Sequence, residues 1–137
     1  MPGFSKLEDK EFLRAFQVTD GVIQNNQPLF MLTWVGSIIS VLSVMAISIL
    51  SLGVSDAWII FVVGLIYLLG VQGITISIHL PLNNHIQKID INDMNNQSLN
   101  EERPNFEMRW TYFNTIRTFI AFAASLSFLL MLMVRSV

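Results

Sequence analysis

Two short polar runs hold the side chains that could do chemistry. His79-Leu80-Pro81-Leu82-Asn83-Asn84-His85 offers imidazoles beside two carboxamides, and imidazole takes and gives protons near neutral pH. Trp110, Asn114 and Arg117 follow at steps of four and three, a spacing that puts them on one helix face. Two readings stay open on these residues alone. In one, Arg117 with Asn83 or Asn114 binds an oxygen-rich ligand while a histidine moves a proton. In the other, the Asn and Arg side chains join helices and satisfy backbone freed at Pro81. Proline lacks a donor and displaces the carbonyl one turn back, which predicts a kink near residues 77–81 with His79, Asn83 and Asn84 gathered around it. His85 reads as an exposed loop residue. Trp110 and Tyr112 also fit an interfacial aromatic belt.

The remaining composition excludes several chemistries. The chain has no cysteine and two histidines, so it has no material for a disulfide, a thiol nucleophile or a Cys-bound metal, and no metal site is expected. Gly-rich phosphate loops and paired catalytic carboxylates are missing too. A net charge of −2 gives no basic footprint for nucleic acid. No acidic residue falls inside an apolar stretch, which weakens a proton-pump or cation-transporter reading.

The elements that must position the two runs follow from hydropathy. Residues are 53% hydrophobic and 13% charged, with mean hydropathy +0.55, against about 25% charged in soluble domains. Residues 29–51, 57–80 and 118–134 carry no Asp, Glu, Lys or Arg. Crossing a bilayer takes roughly 20 apolar residues, and in lipid each crossing segment must pair its own backbone as a helix. The fold class is therefore all-α: a transmembrane helical bundle with three spans, about 29–51, 57–80 and 114–134, in a single membrane domain covering residues 1–137. The bilayer is its first partner.

An N-terminal amphipathic helix is expected over about residues 7–25, with Phe12, Phe16, Val22 and Ile23 recurring at near-helical spacing. Glu8, Asp9 and Glu11 suit its positive end, and Pro28 suits the first position of the next helix. Residues 52–56 allow only a tight hairpin. A polar, mobile loop is expected over about 90–104. All Lys and Arg residues except Arg135 lie on one side of the spans, so the N-terminal segment and polar loop should be cytoplasmic. Gly36 with Ser40, and Ala121 with Ser125, have the small-residue spacing that lets membrane helices approach closely. Arg117, at the start of the last span, needs a partner. The candidates are residues 79–85 and the run Gln24-Asn25-Asn26-Gln27, which predicts one polar cluster at the cytoplasmic boundary.

Several motifs then resemble one family. Phe12-Leu13-Arg14-Ala15-Phe16-Gln17, followed by Ile23-Gln24-Asn25-Asn26-Gln27-Pro28-Leu29-Phe30, is similar to the N-terminal signature of the anthrone oxygenase-like membrane proteins, mostly a domain of unknown function. Pro81-Leu82-Asn83-Asn84 resembles its P-x-N motif, and Trp110, Asn114 and Arg117 its W-x-x-x-N-x-x-R motif. Gln27-Pro28 departs from the Asn-Pro common in the family. Members usually have four spans, the first ending in a segment similar to Met1-Pro2-Gly3-Phe4. The resemblance thus implies a bundle without its first helix, whose groove is filled by lipid, a partner or residues 1–25. It also implies, for a few members only, oxidation of an anthrone to an anthraquinone by O₂ without metal or organic cofactor. On that reading His79 is the base, Asn83, Trp110, Asn114 and Arg117 bind a lipophilic small molecule, and Asn83, Asn114 and Arg117 stabilise its enolate.

Overall fold

A computed structural model of the chain describes residues 3–25 and 27–135. Met1, Pro2 and Asn26, which belong to two of the sequence runs above, lie outside the described residues. Every regular element among the described residues is helical. Three helices, Pro28–Leu52, Val54–Lys88 and Asn96–Val134, are long and apolar enough to cross a bilayer.

Helix α1 (Asp9–Gln24) carries Asp9 and Glu11 in its first turn, where negative charge opposes the positive end of the helix. Its buried residues are Phe12, Leu13, Phe16 and Asp20, one face at helical period. Val22, expected on that face, is 59% exposed. A carboxylate, Asp20, takes the next turn of the stripe instead.

Helix α2 (Pro28–Leu52) starts on Pro28, and the Gln27 side-chain oxygen accepts the Phe30 N–H to cap it. It ends at Gly53, whose φ of 77° is left-handed and costs a glycine least. Helix α3 (Val54–Tyr67) begins at once, so the hairpin link is a single residue and Asp56 already lies in a first helical turn.

Beyond Tyr67 the helix widens into two π-helical segments, Leu68–Gly73 and Thr75–His79, before α4 (Leu80–Lys88). The Leu80 N–H reaches back to the Thr75 carbonyl. The predicted disturbance before Pro81 is thus a run of wide turns, and it extends back to Leu68, further than the proline alone requires. Such turns are rare and concentrate at functional sites.

Helix α5 (Asn96–Arg135) corrects the expected loop over 90–104. Only residues 89–95 separate it from α4. The Asn95 side chain accepts the Ser98 N–H and starts the helix. Leu99 and Phe106 are buried, which fixes the first turns of α5 against α1.

The long helices meet at glycines other than the expected one. A Cβ on Gly64 would collide with the Met45 side chain of α2, and one on Gly70 would lie 2.7 Å from Ile120 of α5. Gly36 has open space instead, and Ser125 is exposed, while Ala124 is buried. The α3–α4 run therefore lies between α2 and α5, which make no substantial contact with each other.

The polar end has its own core. Phe12, Leu13, Ile86 and Phe106 are essentially fully buried there, each contributing about 1.5–3 kcal/mol by leaving water. Arg103 clamps the chain start to α5. Its guanidinium donates to the Leu7 carbonyl at 2.6 Å, to Asp9 at 2.9 Å, to the Ser5 carbonyl at 3.1 Å and to Glu107 at 3.2 Å. It also sits 4.7 Å from the centre of the Phe12 ring. Gln17 fastens α1 to the end of α4, donating to the carbonyls of Ile86 at 2.7 Å and Ile89 at 3.0 Å.

Candidate functional site

A cavity of about 520 Å³ opens where α1, the start of α2, the wide turns and α5 converge. Its walls are mostly apolar and aromatic, with Phe16, Phe30, Trp34, Ile76 and Trp110 among them. Asp20, His79, Asn83 and Arg117 supply its strongly polar part. The volume falls within the roughly 300–1,000 Å³ usual for small-molecule sites.

His79 is 3% exposed, at the end of the second wide segment. Among the described residues neither ring nitrogen has a hydrogen-bond partner of standard geometry; the Phe113 backbone is near the ring. The ring is held by packing instead, edge-to-face on Trp110 with centroids 5.2 Å apart. Trp110 in turn packs against Phe16 of α1 at 6.0 Å.

Asn83 bridges two helices. Its Nδ2 donates to Asp20 Oδ1 at 2.7 Å, and its Oδ1 accepts the Trp110 indole N–H at 3.1 Å. Asp20 is 4% exposed and accepts further amide N–H groups from Gln24 at 2.7 Å and Gln87 at 3.0 Å. A buried carboxylate needs such donors to replace its lost water.

Arg117 corrects an expectation. Its donors go to Thr75 Oγ1 at 3.2 Å and Asn114 Oδ1 at 2.7 Å, neither of them in the segments proposed as partners. Among the described residues Arg117 forms no ion pair. Asn114 is spent on holding Arg117 and is not among the residues lining the cavity. The expected single polar cluster is two networks on one cavity: Asp20–Asn83–Trp110, and Thr75–Arg117–Asn114. His85 lies outside both, exposed on α4 rather than in a loop, 2.8 Å from Glu102.

Three participants went unnoticed in the sequence. Asp20 had a signal, since it extends the stripe of Phe12 and Phe16 by one more turn. Thr75 had none, because a lone threonine in an apolar helix commonly bonds its own backbone, as this one also does to Val71. Trp34 lines the cavity with its indole nitrogen buried and unpartnered among the described residues, a property that only the fold creates.

Three helices long and apolar enough to cross a bilayer thus frame a largely apolar cavity with unpaired polar atoms at one end. The chain belongs to the Anthrone oxygenase family, which it matches over residues 25–127. The match takes in His79, Asn83, Trp110, Asn114 and Arg117; it starts after α1, so the resemblance of residues 12–17 falls outside it. Among curated proteins and solved structures, none is significantly similar to the chain.

Proposed function

We propose that the chain is a cofactor-independent oxygenase that oxidises an anthrone-like ring drawn from the bilayer. One observation carries this reading: His79, buried and without a hydrogen-bond partner of standard geometry among the described residues, lines the same cavity as Arg117. A buried group without a partner costs about 1–3 kcal/mol, a cost that a bound ligand can remove. The bias of Lys and Arg supports a cytoplasmic position for the cavity end, in the inner membrane if the source is bacterial.

The reaction balances with O₂ as co-reactant. His79 accepts one proton from the ring methylene, and Arg117 and the Trp34 N–H stabilise the charge that moves onto the ketone oxygen. The enolate passes its electrons to O₂, and a C–O bond forms at the former methylene carbon. Protonation gives a hydroperoxide. Loss of the second C–H proton with cleavage of the O–O bond leaves the new ketone and releases water. Carbon is oxidised, O₂ is reduced, and anthrone plus O₂ becomes anthraquinone plus water.

The test is turnover of anthrone by the full chain in lipid nanodiscs, read as anthraquinone absorbance and O₂ uptake above the spontaneous rate. His79→Ala should lower the rate by about 10²–10⁴-fold, the usual contribution of a general base, with an unchanged melting temperature. Full activity in both Arg117→Ala and Asn83→Ala would count against the reading. The mutual pairing of Thr75, Asn114 and Arg117 favours a second reading, a non-catalytic module joined by these bonds. On that reading Arg117→Ala lowers the melting temperature, and anthrone raises it in no variant.

A further inference from the structure

Helix α1 lies outside residues 25–127 and looks at first like an anchor. Its cavity side says otherwise: Phe16, Thr19, Asp20, Ile23 and Gln24 all line the cavity. Asp20 is the residue whose chemistry is unexplained by anchoring. Burying a carboxylate is costly, and Arg103 and Gln17 already fasten α1 to the bundle.

The bonds lead from Asp20 to the unpaired imidazole. An Asn side chain can present its oxygen or its nitrogen to a neighbour. Asp20 only accepts in its ionised form, so it fixes the Asn83 nitrogen toward itself and the Asn83 oxygen toward Trp110. The indole N–H is thereby committed, and the ring stands edge-on to His79. His79 is held without either nitrogen being used. Gln24 and Gln87 complete the carboxylate's shell from α1 and α4.

We infer that Asp20 is a positioning residue of the ligand site, acting through Asn83 and Trp110 to hold His79 in place with both nitrogens free. The inference rests on the proposed reading that the cavity binds an anthrone-like ligand. It makes α1 part of the site, and it assigns Asp20 no contact with the reacting atoms.

The test uses the full chain, ¹⁵N-labelled at tryptophan, in nanodiscs, with the three indole signals assigned by single Trp→Phe replacements. Asp20→Ala should shift the Trp110 indole N–H signal toward that of an unbonded indole and leave Trp58 unmoved. It should also weaken anthrone binding by about tenfold, the equivalent of one hydrogen bond to a charged group. Asp20→Ser, with a hydroxyl too short to replace the carboxylate, serves the same purpose if the alanine variant does not fold. Asp20→Asn should rescue both readouts only in part, because its oxygen can still accept from Asn83 while Gln87, whose nitrogen also donates to the Gln17 carbonyl, cannot turn to match the new amide. Gln17→Ala should lower the melting temperature without moving the Trp110 signal. An unmoved Trp110 signal in Asp20→Ala overturns the inference. So does an Asp20→Asn variant as impaired as Asp20→Ala, since an oxygen facing Asn83 would then count for nothing. So does a Gln17→Ala variant that moves Trp110 equally, since anchoring alone would then explain it. The indole signals need no ligand. Failure of the wild-type chain to bind anthrone therefore removes the functional reading separately from the Asp20 relay.

Discussion

The indole N–H of Trp110 donates to the side-chain oxygen of Asn83 at 3.1 Å, across a sequence gap of 27 residues. That bond ties α5 to α4 just past the wide turns, and the other end of Asn83 ties α4 to α1. Three helices are thus joined through one carboxamide.

Asn83→Leu should therefore destabilise the fold more than an ordinary surface change. It leaves a buried carboxylate short of one donor, at about 1–3 kcal/mol for such a group, and a half-buried indole short of its acceptor. Thermal unfolding in detergent, followed by circular dichroism, should show a lowered midpoint. An unchanged midpoint would show that the bond contributes nothing net.

Arg103→Ala should release the chain start. Four hydrogen bonds, two to the chain start, one to α1 and one within α5, and the contact with Phe12 are lost together. The ion pairs alone are partly solvated and worth about 0–1 kcal/mol each, so the backbone carbonyls of Ser5 and Leu7 matter more. Limited proteolysis should cut within residues 3–24 much faster in the variant, while Arg103→Lys, which lacks the planar fork, should rescue only in part.

Gly70→Ala tests the closeness of α5 to the wide turns. The added methyl would lie 2.7 Å from the Ile120 side chain, and overpacking of this kind costs about 1–3 kcal/mol. Gly36→Ala meets nothing within 4 Å and should be neutral or slightly stabilising in the same melting experiment, since alanine is the better helix former.

Pro81→Ala should let the wide turns relax. With an N–H restored at position 81, the preceding residues can revert to ordinary helical bonds, which rotates His79 relative to Trp110. Hydrogen exchange at residues 75–80 should slow, and anthrone turnover should fall. A variant with unaltered exchange would place the origin of the wide turns in Gly70 and Gly73.

Much of the fold was legible because lipid imposes a strict rule on the backbone. Uncharged runs of sufficient length must be helices, and α2, α3 and the end of α5 follow from that rule. The start of α5 was hidden by its polar composition. Asn95, Leu99 and Phe106 carried the signal, a cap followed by residues at helical spacing, but Asn and Glu around them outweighed it. The site was only half legible. His79, Asn83, Trp110 and Arg117 stood out as polar side chains next to apolar runs, and all four line the cavity. Their partners did not stand out, because pairing Arg117 with Thr75 or Asn83 with Asp20 depends on which helix faces which. Asn114 shares a helix face with Arg117, which in the sequence suggests a ligand-facing side chain, and that same proximity is why Arg117 takes it.

The single-residue link at Gly53 has a mechanical side. With α2 and α3 joined without slack, sliding of one along the other is restricted at the link, and any displacement of α2 grows with distance from it. Trp34 lies nineteen residues from Gly53, roughly 28 Å at 1.5 Å per residue. A tilt of about 5° about the link therefore moves the indole by about 2.5 Å over that lever arm, far from the pivot and beside the cavity. The one-residue link at Gly53 is thus the near end of a long arm whose far end, at Trp34, forms one wall of the cavity.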